Sequence, residues 1–314
     1  MLRNVKRLPA HKKKDPAVVI QKYFQYLCNI KIQYMTTSKK RVLIIVTICL
    51  ALVCVTLAFA LNKNIRAAGE AKTSISRQNG SVTQNPDSLM EIPTYTQTRK
   101  GRTVFHTGYT VDFNPEWHIP NWVAYELTEE ELTGDVPRAQ NFQPDPQLSD
   151  CTPTTYDYSH SGYDRGHMAP AVNMKWDKQA MDESFYTSNI CPQNHNLNSG
   201  VWQQLEERVN LWACSHGNIY VVCGPIVNDD HETIGNGKVA VPAAFFKVLL
   251  CRINGEWQAL GFYFKNEAGT RPLRSYCRSV DELERMTGID FFPLLEDSVE
   301  DKIEAHYNLD AWGI

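Results

Sequence analysis

The sequence predicts an α+β fold with a mainly antiparallel sheet, preceded by one N-terminal transmembrane helix. Three observations support this prediction. Aromatic-rich, β-prone segments broken by Pro, Gly and Asn begin at Ile92, helical segments occur among them without a regular βαβ alternation, and a charge-free apolar run lies near the N-terminus. The 314 residues leave room for one large domain, or two small ones, with appendages.

The apolar run covers residues 42–61, which are 20 residues without a charge. A helix of that length spans about 30 Å, the hydrocarbon thickness of a bilayer. Basic residues 39–41 (KKR) directly precede it, so the positive-inside rule places the N-terminus in the cytoplasm and the remainder outside. We therefore expect a transmembrane anchor with an exported body. Residues 58–60 (AFA) form a small-x-small pattern, so cleavage near Ala60 followed by secretion is the alternative.

Charge divides the chain sharply. Residues 1–41 hold 11 basic residues and one acid, a net charge of +10, whereas the remainder holds 21 basic and 34 acidic residues, a net charge of −13. The head could bind nucleic acid, but the adjoining apolar run favours a basic cytoplasmic head that lies near anionic lipid. The string MTTSKKR, which begins at Met35, also has the form of a signal-peptide n-region, so translation from Met1 and from Met35 both fit the sequence.

Residues 62–91 are polar and contain no aromatic residue, and such a composition predicts a flexible linker. Six cysteines follow in the body. An even number in an exported domain permits disulfides, although buried free thiols fit equally well and the sequence does not select a pairing. These cysteines are Cys151, Cys191, Cys214, Cys223, Cys251 and Cys277.

The body, residues 92–314, alternates between strand-like and helical segments. The predicted strands are residues 104–113, 122–127, 219–223, 240–250 and 257–264. Residues 129–132 and 137–148 are predicted loops, and residues 162–171 a strand that runs into a loop. The clearest helix is residues 199–214, because its apolar residues recur on one face. An Asn254-Gly255 turn should join the last two strands, and a short helix from Val280 should end at Gly288.

Two strings concentrate residues with catalytic chemistry: DRGHMAP (residues 164–170) and SNICPQ followed by LNSGVWQQLE (residues 188–193 and 197–206). Taken singly, each member has an ordinary explanation. A lone histidine is more often a structural hydrogen-bonding residue, Asn198 is suited to cap a helix, and Glu206 could be a solvated helix residue. Together they indicate a strand that bears a base and a helix that could bear a metal ligand.

Both strings resemble the DNA/RNA non-specific endonuclease family of ββα-metal, or His-Me finger, nucleases. The similarity extends to NWVAYEL (residues 121–127) and to the tail at residues 281–293, and covers roughly residues 95–310. It implies that residues 92–314 form a nuclease domain around a ββα-metal core. It further implies a Mg²⁺-dependent endonuclease that cuts DNA and RNA and leaves 5′-phosphate ends. Mn²⁺ or another divalent cation would be an alternative metal, and a homodimer is compatible with the resemblance.

The resemblance assigns roles to individual residues. It implies a general base at His167, the direct Mg²⁺ ligand at Asn198, an acid that holds metal-bound waters at Glu206, a hydrogen-bonding shell residue at Asn189, and phosphate-contacting arginines at Arg165 and Arg138. Asp164 would have a supporting role. In the family a basic residue often follows the helix glutamate by four positions, but position 210 is Asn here. Arg208 is the candidate replacement for substrate binding.

Two considerations qualify this hypothesis. The acidic body opposes nucleic-acid binding, although a locally basic cleft and a bound metal ion would offset the charge. A catalytically silent nucleic-acid-binding module on the same fold is the alternative function. If His167 is catalytic and its imidazole is unperturbed, activity should fall as the pH drops below about 6.5. A nearby Mg²⁺ ion would move the midpoint of this loss to a lower pH.

Overall fold

A seven-stranded sheet, antiparallel throughout, organises residues 89–314, which are the residues that the computed structural model of the protein describes. The strands are β1 (Thr94–Tyr95), β2 (Arg102–Phe105), β3 (Thr110–Asn114), β4 (Ile119–Leu127), β5 (Asp164–His167), β6 (Ile190–Gln193), β7 (Ile219–Ile226), β8 (Thr233–Ile234), β9 (Val239–Ala240), β10 (Ala244–Ile253), β11 (Glu256–Lys265), β12 (Cys277–Arg278) and β13 (Ile289–Asp290). The helices are α1 (Lys178–Glu183), α2 (His195–Leu197), α3 (Gln203–His216), α4 (Val280–Thr287), α5 (Asp297–Ala305) and α6 (Leu309–Trp312).

The strand order of the main sheet is β12-β11-β10-β7-β4-β3-β2, and β1–β13, β5–β6 and β8–β9 form separate two-stranded pairs. Successive residues of a strand point to opposite faces, and here both faces are covered. In β4, Val123 and Tyr125 belong to the core beneath the β5–β6 hairpin and α3. Trp122 and Ala124 belong to a second core beneath α4 and α5. The predicted α+β class with a large antiparallel sheet is confirmed.

The predicted strand at residues 104–113 is wrong as a single element. It is the β2–β3 hairpin, whose turn is closed by a bond from His106 N to Tyr109 O at 2.8 Å. Strand β4 begins earlier than predicted, at Ile119, although Pro120 cannot donate to a ladder. The register with β3 shifts between Asp112 and Phe113, directly beside the proline, which is how the sheet accommodates it.

Two local predictions are confirmed. Asn254 and Gly255 connect β10 to β11 with φ angles of +54° and +85°, as a two-residue type I′ hairpin requires. Gly288, with φ of +66°, ends α4 in the left-handed conformation that favours glycine. The six body cysteines are all free thiols, and only Cys214 of these is exposed.

The predicted head, the apolar run at residues 42–61 and nearly all of the linker lie outside the described residues. Within residues 89–314, no helix has the length and apolar character needed to cross a membrane. Met90 is 5% exposed and packs in the second core, so folded structure begins slightly before the predicted boundary at Ile92.

Gly166 occupies a position in the β5–β6 hairpin where backbone and side chain approach closely. A Cβ atom at residue 166 would lie 2.7 Å from Cβ of Gln193, and nearer still to its Oε1. We predict that Gly166→Ala lowers the free energy of unfolding by about 1–3 kcal/mol, as overpacking generally does. Urea denaturation of the full chain measures this.

The double variant Gly166→Ala/Gln193→Gly is the control, because it removes the atoms that the new methyl group would meet. It should be less destabilised than the sum of the two single variants. Unchanged stability of Gly166→Ala would contradict the close approach described here.

Candidate active site

The β5–β6 hairpin presents the first string of candidate residues. Its register pairs Asp164 with Gln193 and His167 with Ile190. Because side chains alternate along a strand, Arg165 and His167 share one face, and Asp164 lies on the other. The Phe142 ring lies near both Arg165 and His167, at 5.7 Å and 5.3 Å, which agrees with this alternation.

The helix that follows the hairpin begins earlier than predicted. Asn194 is its N-cap, because its side chain accepts bonds from the backbone nitrogens of Asn196 and Leu197. From α2 the chain continues through a wide turn, Asn198–Trp202, with a kink at Gly200, into α3. Asn198 therefore lies inside the helical segment, and its backbone nitrogen donates to Asn194 O at 2.9 Å. The capping explanation for Asn198 is wrong.

The side chain of Asn198 connects this helix to the hairpin. Its Nδ2 donates to Asp164 Oδ2 at 2.9 Å, and Nδ1 of His195 lies 2.9 Å from the same oxygen. A carboxylate only accepts hydrogen bonds, so the amide nitrogen faces Asp164 and the amide oxygen of Asn198 is turned away from it. Asp164 therefore fixes the orientation of the amide, and the amide oxygen could bind a metal ion.

His167 is enclosed by aromatic rings. The ring centroids of Phe142 and Phe185 lie 5.3 Å and 5.0 Å from its own, and its Nε2 is buried without a hydrogen-bond partner among the described residues. Burial, and secondarily the charge of Arg138, lowers the pKa of His167 to about 3. The expectation of an unperturbed imidazole is wrong. The ring is neutral at physiological pH, the form that accepts a proton.

Asn189 is fully buried and fixes the backbone that follows His167. Its Oδ1 accepts from Ala169 N at 2.8 Å, and its Nδ2 donates to the carbonyl oxygens of Ala169 and Ser184, both at 2.9 Å. With no exposed surface, Asn189 cannot contact a substrate. It is a positioning residue for the β5 end, and its assignment as a catalytic residue is corrected accordingly.

Glu206 has a cationic neighbour that the sequence did not reveal. Lys247 of β10 is fully buried, with Nζ 3.6 Å from Glu206 Oε1 and 4.3 Å from the ring centroid of Trp202. Burial raises the pKa of Glu206, while the charges of Lys247 and Arg138 oppose this. A lysine within the apolar string FFKVLL was the available signal, because a buried lysine requires an acidic or aromatic partner.

The three predicted arginines differ in position. Arg138 stacks over Phe185 at 5.0 Å, and its charge acts on both His167 and Glu206. Arg165 donates from Nη2 to Thr155 O at 2.8 Å, which anchors its guanidinium beside the hairpin.

Arg208 does not join this group. It is exposed and stacks over Trp212 at 5.9 Å, and two residues from Glu206 correspond to about 200° around a helix. Arg208 therefore lies on a different side of the helix from Glu206, and its role in substrate binding stays a prediction. Lys247 is the cation that lies beside Glu206.

The hairpin and helix together form a ββα unit that carries a neutral imidazole, an outward-turned amide oxygen and a glutamate. The model of the family described as DNA/RNA non-specific endonuclease matches residues 87–298. The mitochondrial nuclease EXOG of Danio rerio is 36% identical over 209 residues, which cover 61% of this chain and 61% of that protein. The mitochondrial endonuclease G of Homo sapiens is 34% identical over 200 residues, which cover 59% of this chain and 67% of that protein.

A solved structure agrees with these matches. The crystal structure of the EndoG/EndoGI complex aligns with a TM-score of 0.61 and 27% identity, covering 70% of this chain and 96% of that one. The architecture is that of a mixed α/β protein with a large antiparallel sheet, similar to EndoG. The chain belongs to the DNA/RNA non-specific endonuclease family. The match spans about three fifths of the length of the EXOG relatives of Danio rerio, Mus musculus and Homo sapiens.

The environment of His167 leads to a prediction about its protonation. Burial and the nearby Arg138 disfavour the imidazolium, so His167 should remain neutral from pH 8 down to pH 5. The unfolded chain would take up this proton near pH 6.5 and the folded chain only near pH 3. Stability contributed by neutral His167 should therefore decline as pH falls through that window.

An NMR titration of the histidine-labelled full chain tests this directly. The His167 resonance is assigned by its loss in His167→Gln. A chemical-shift midpoint near pH 6.5 for that resonance would contradict the half-buried, neutral imidazole.

Proposed function

We propose that the chain is a metal-dependent, sequence-indifferent endonuclease that hydrolyses the phosphodiester bonds of DNA and RNA and leaves 5′-phosphate ends. The observation that carries the proposal is that the β5–β6 hairpin and the helical segment from α2 to α3 bring their candidate residues together. Asp164 bonds Asn198 directly, and the charge of Arg138 acts on both His167 of β5 and Glu206 of α3. Family membership supplies the expectation that these groups act on nucleic acid.

His167 is proposed as the general base. Because Nε2 is buried, the neutral ring would accept the proton of the attacking water at Nδ1. Phe142 and Phe185 hold the ring in place, and Asn189 fixes the backbone after it. The low pKa limits the driving force of this transfer, but it keeps the base free of competing protons.

The residues present fit a hard divalent cation. The amide oxygen of Asn198 is turned away from Asp164, and Oε1 of Glu206 is buried without a hydrogen-bond partner among residues 89–314. Oxygen donors of this kind suit Mg²⁺, or Mn²⁺, which retain several water ligands. Asn198 would hold the ion directly, and Glu206, with Lys247 beside it, would hold its waters. When bound, the metal would neutralise charge on the phosphate and on the leaving oxygen.

Substrate binding is proposed to depend on the phosphate backbone. Arg138 and Arg165 would contact phosphate oxygens, and such contacts carry no base identity. With a net charge of −13 over residues 42–314, binding should rely on this local cationic region and on the metal. A homodimer stays a proposal as well, since the structure contains one chain.

Two further proposals come from the sequence. The domain is proposed to lie outside the cytoplasm, tethered by residues 42–61, or secreted after cleavage near Ala60. The alternative function is a catalytically silent nucleic-acid-binding module. The neutral His167, the oriented Asn198 and Glu206 paired with Lys247 favour the enzyme, since binding alone requires none of these three states.

Replacement of His167 tests the proposed function. A general base contributes about 10²–10⁴-fold in rate, so plasmid cleavage by the His167→Ala full chain in Mg²⁺ should fall by at least that factor. Affinity for a non-hydrolysable phosphorothioate duplex, measured by fluorescence anisotropy, should change little. Cleavage by the parent protein should stop in EDTA and return with added Mg²⁺.

His306→Ala is the matched control, because His306 is exposed at the end of α5. It should cut at the parental rate. His195 is unsuitable as a control, since it lies against Asp164. If His167→Ala also cuts plasmid at the parental rate, the mechanism fails. If the parent binds DNA but never cuts it, the silent module is favoured.

A further inference from the structure

A group of acidic side chains lies between α4 and α5, on the face of the main sheet opposite α3. Asp281 and Glu284 are three residues apart on α4, and Glu300 and Glu304 are four apart on α5. At these spacings the two acids of each pair lie on the same side of their helix. Each helix therefore contributes a pair of carboxylates to one interface.

Burial distinguishes this group from an ordinary acidic surface. Glu304 is only 5% exposed, and its Oε1 is buried without a hydrogen-bond partner among the described residues. Oε1 of Glu300 is also buried and has no hydrogen-bond partner among the described residues. A buried acceptor that lacks a partner is uncommon in folded proteins and normally indicates a missing ligand, water or ion.

No positive side chain within residues 89–314 forms an ion pair with these four carboxylates. Arg285, which lies on the same helix as Asp281, donates from Nε to the backbone oxygen of Asp281 at 3.2 Å rather than to a carboxylate. Oε1 of Glu284 accepts from Phe291 N at 2.8 Å. The folded chain therefore brings four carboxyl groups together without a positive side chain, among the described residues, that pairs with them.

The spacing of the oxygens suits one metal ion. Asp281, Glu284 and Glu304 each offer a carboxylate oxygen, and these three atoms all lie within 4.8 Å of one another. Ca²⁺ binds oxygen at about 2.3–2.6 Å, so ligands on opposite sides of the ion are at most about 5 Å apart. An open depression of about 450 Å³ beside the cluster gives access from solvent. Its lining residues are Thr96, Gln97, Asp281, Glu284, Arg285 and Gly288.

We propose that Asp281, Glu284 and Glu304 bind one Ca²⁺ ion that joins α4 to α5. Ca²⁺ fits better than Mg²⁺, because it accepts several carboxylates in irregular geometry, whereas Mg²⁺ retains its waters and requires near-octahedral ligands. The site is structural and separate from His167 and Asn198, since the main sheet lies between them. It is independent of the proposed nuclease chemistry.

The test uses the full chain with Asn198→Ala, so that metal at the proposed nuclease site does not contribute. After EDTA treatment and dialysis, calorimetric titration with CaCl₂ should show one ion per chain. Saturating CaCl₂, about 100-fold above the dissociation constant, should raise Tm by on the order of 5 °C. MgCl₂ should have a much smaller effect.

Glu304→Gln and Asp281→Asn should each abolish the calcium-dependent rise in Tm. Asp281 is partly exposed, so Asp281→Asn tests the site without altering its buried side chain. In proteins that retain Asn198, neither variant should change nuclease activity.

Glu282→Gln is the matched control, because Glu282 lies on α4 but pairs with Arg278 at 3.2 Å. It should keep the calcium-dependent rise. Absence of calcium binding in the Asn198→Ala protein would overturn the proposal and indicate that the carboxyl groups share a proton instead. Persistence of the rise in both Glu304→Gln and Asp281→Asn would overturn it as well.

Discussion

The hydrogen bond between Asp164 and Asn198 is the constraint on which the site depends. It joins the β5–β6 hairpin to the helical segment that follows, and His195 Nδ1 lies 2.9 Å from the same Asp164 oxygen. It also fixes the direction of the Asn198 amide, because a carboxylate cannot accept from an amide oxygen. The amide of Asn198 could adopt two orientations, and the bond to Asp164 selects the one in which its oxygen can bind a metal ion. Metal ligands in proteins are commonly oriented by such an outer partner.

The main sheet provides the rigid support for this arrangement. Lys247 projects from β10 beneath α3, where Trp202 and Glu206 enclose its ammonium group. Burying a lone ammonium would be costly, so the pair is stable only while Glu206 remains in place. A buried cation on a central strand consequently fixes the glutamate of the metal helix. Asn189 does the same for the backbone after His167, through three bonds to main-chain groups.

Much of this could be predicted from the sequence where local chemistry decides the structure. The Asn254-Gly255 turn and the Gly288 helix end follow from backbone conformations that few other residues adopt. The motif strings located His167, Asn198 and Glu206. Long-range pairing could not be predicted: Lys247 lies 41 positions from Glu206 in the sequence, and nothing local connects them. The helix start was missed because Asn194 and Asn198 are both suitable caps, and only tertiary contacts distinguish them.

Metal affinity measured through a double-mutant cycle tests the orientation of Asn198 most directly. Mn²⁺ binding to the full chain would be followed by electron paramagnetic resonance, with Glu304→Gln present so that an ion between α4 and α5 does not contribute. Asp164→Ala should weaken Mn²⁺ binding by about 10–100-fold, and Asp164→Asn, which keeps an acceptor, by less. In an Asn198→Ala background, Asp164→Ala should have almost no further effect. An equal loss in both backgrounds would show that Asp164 acts independently of Asn198 and would contradict this account.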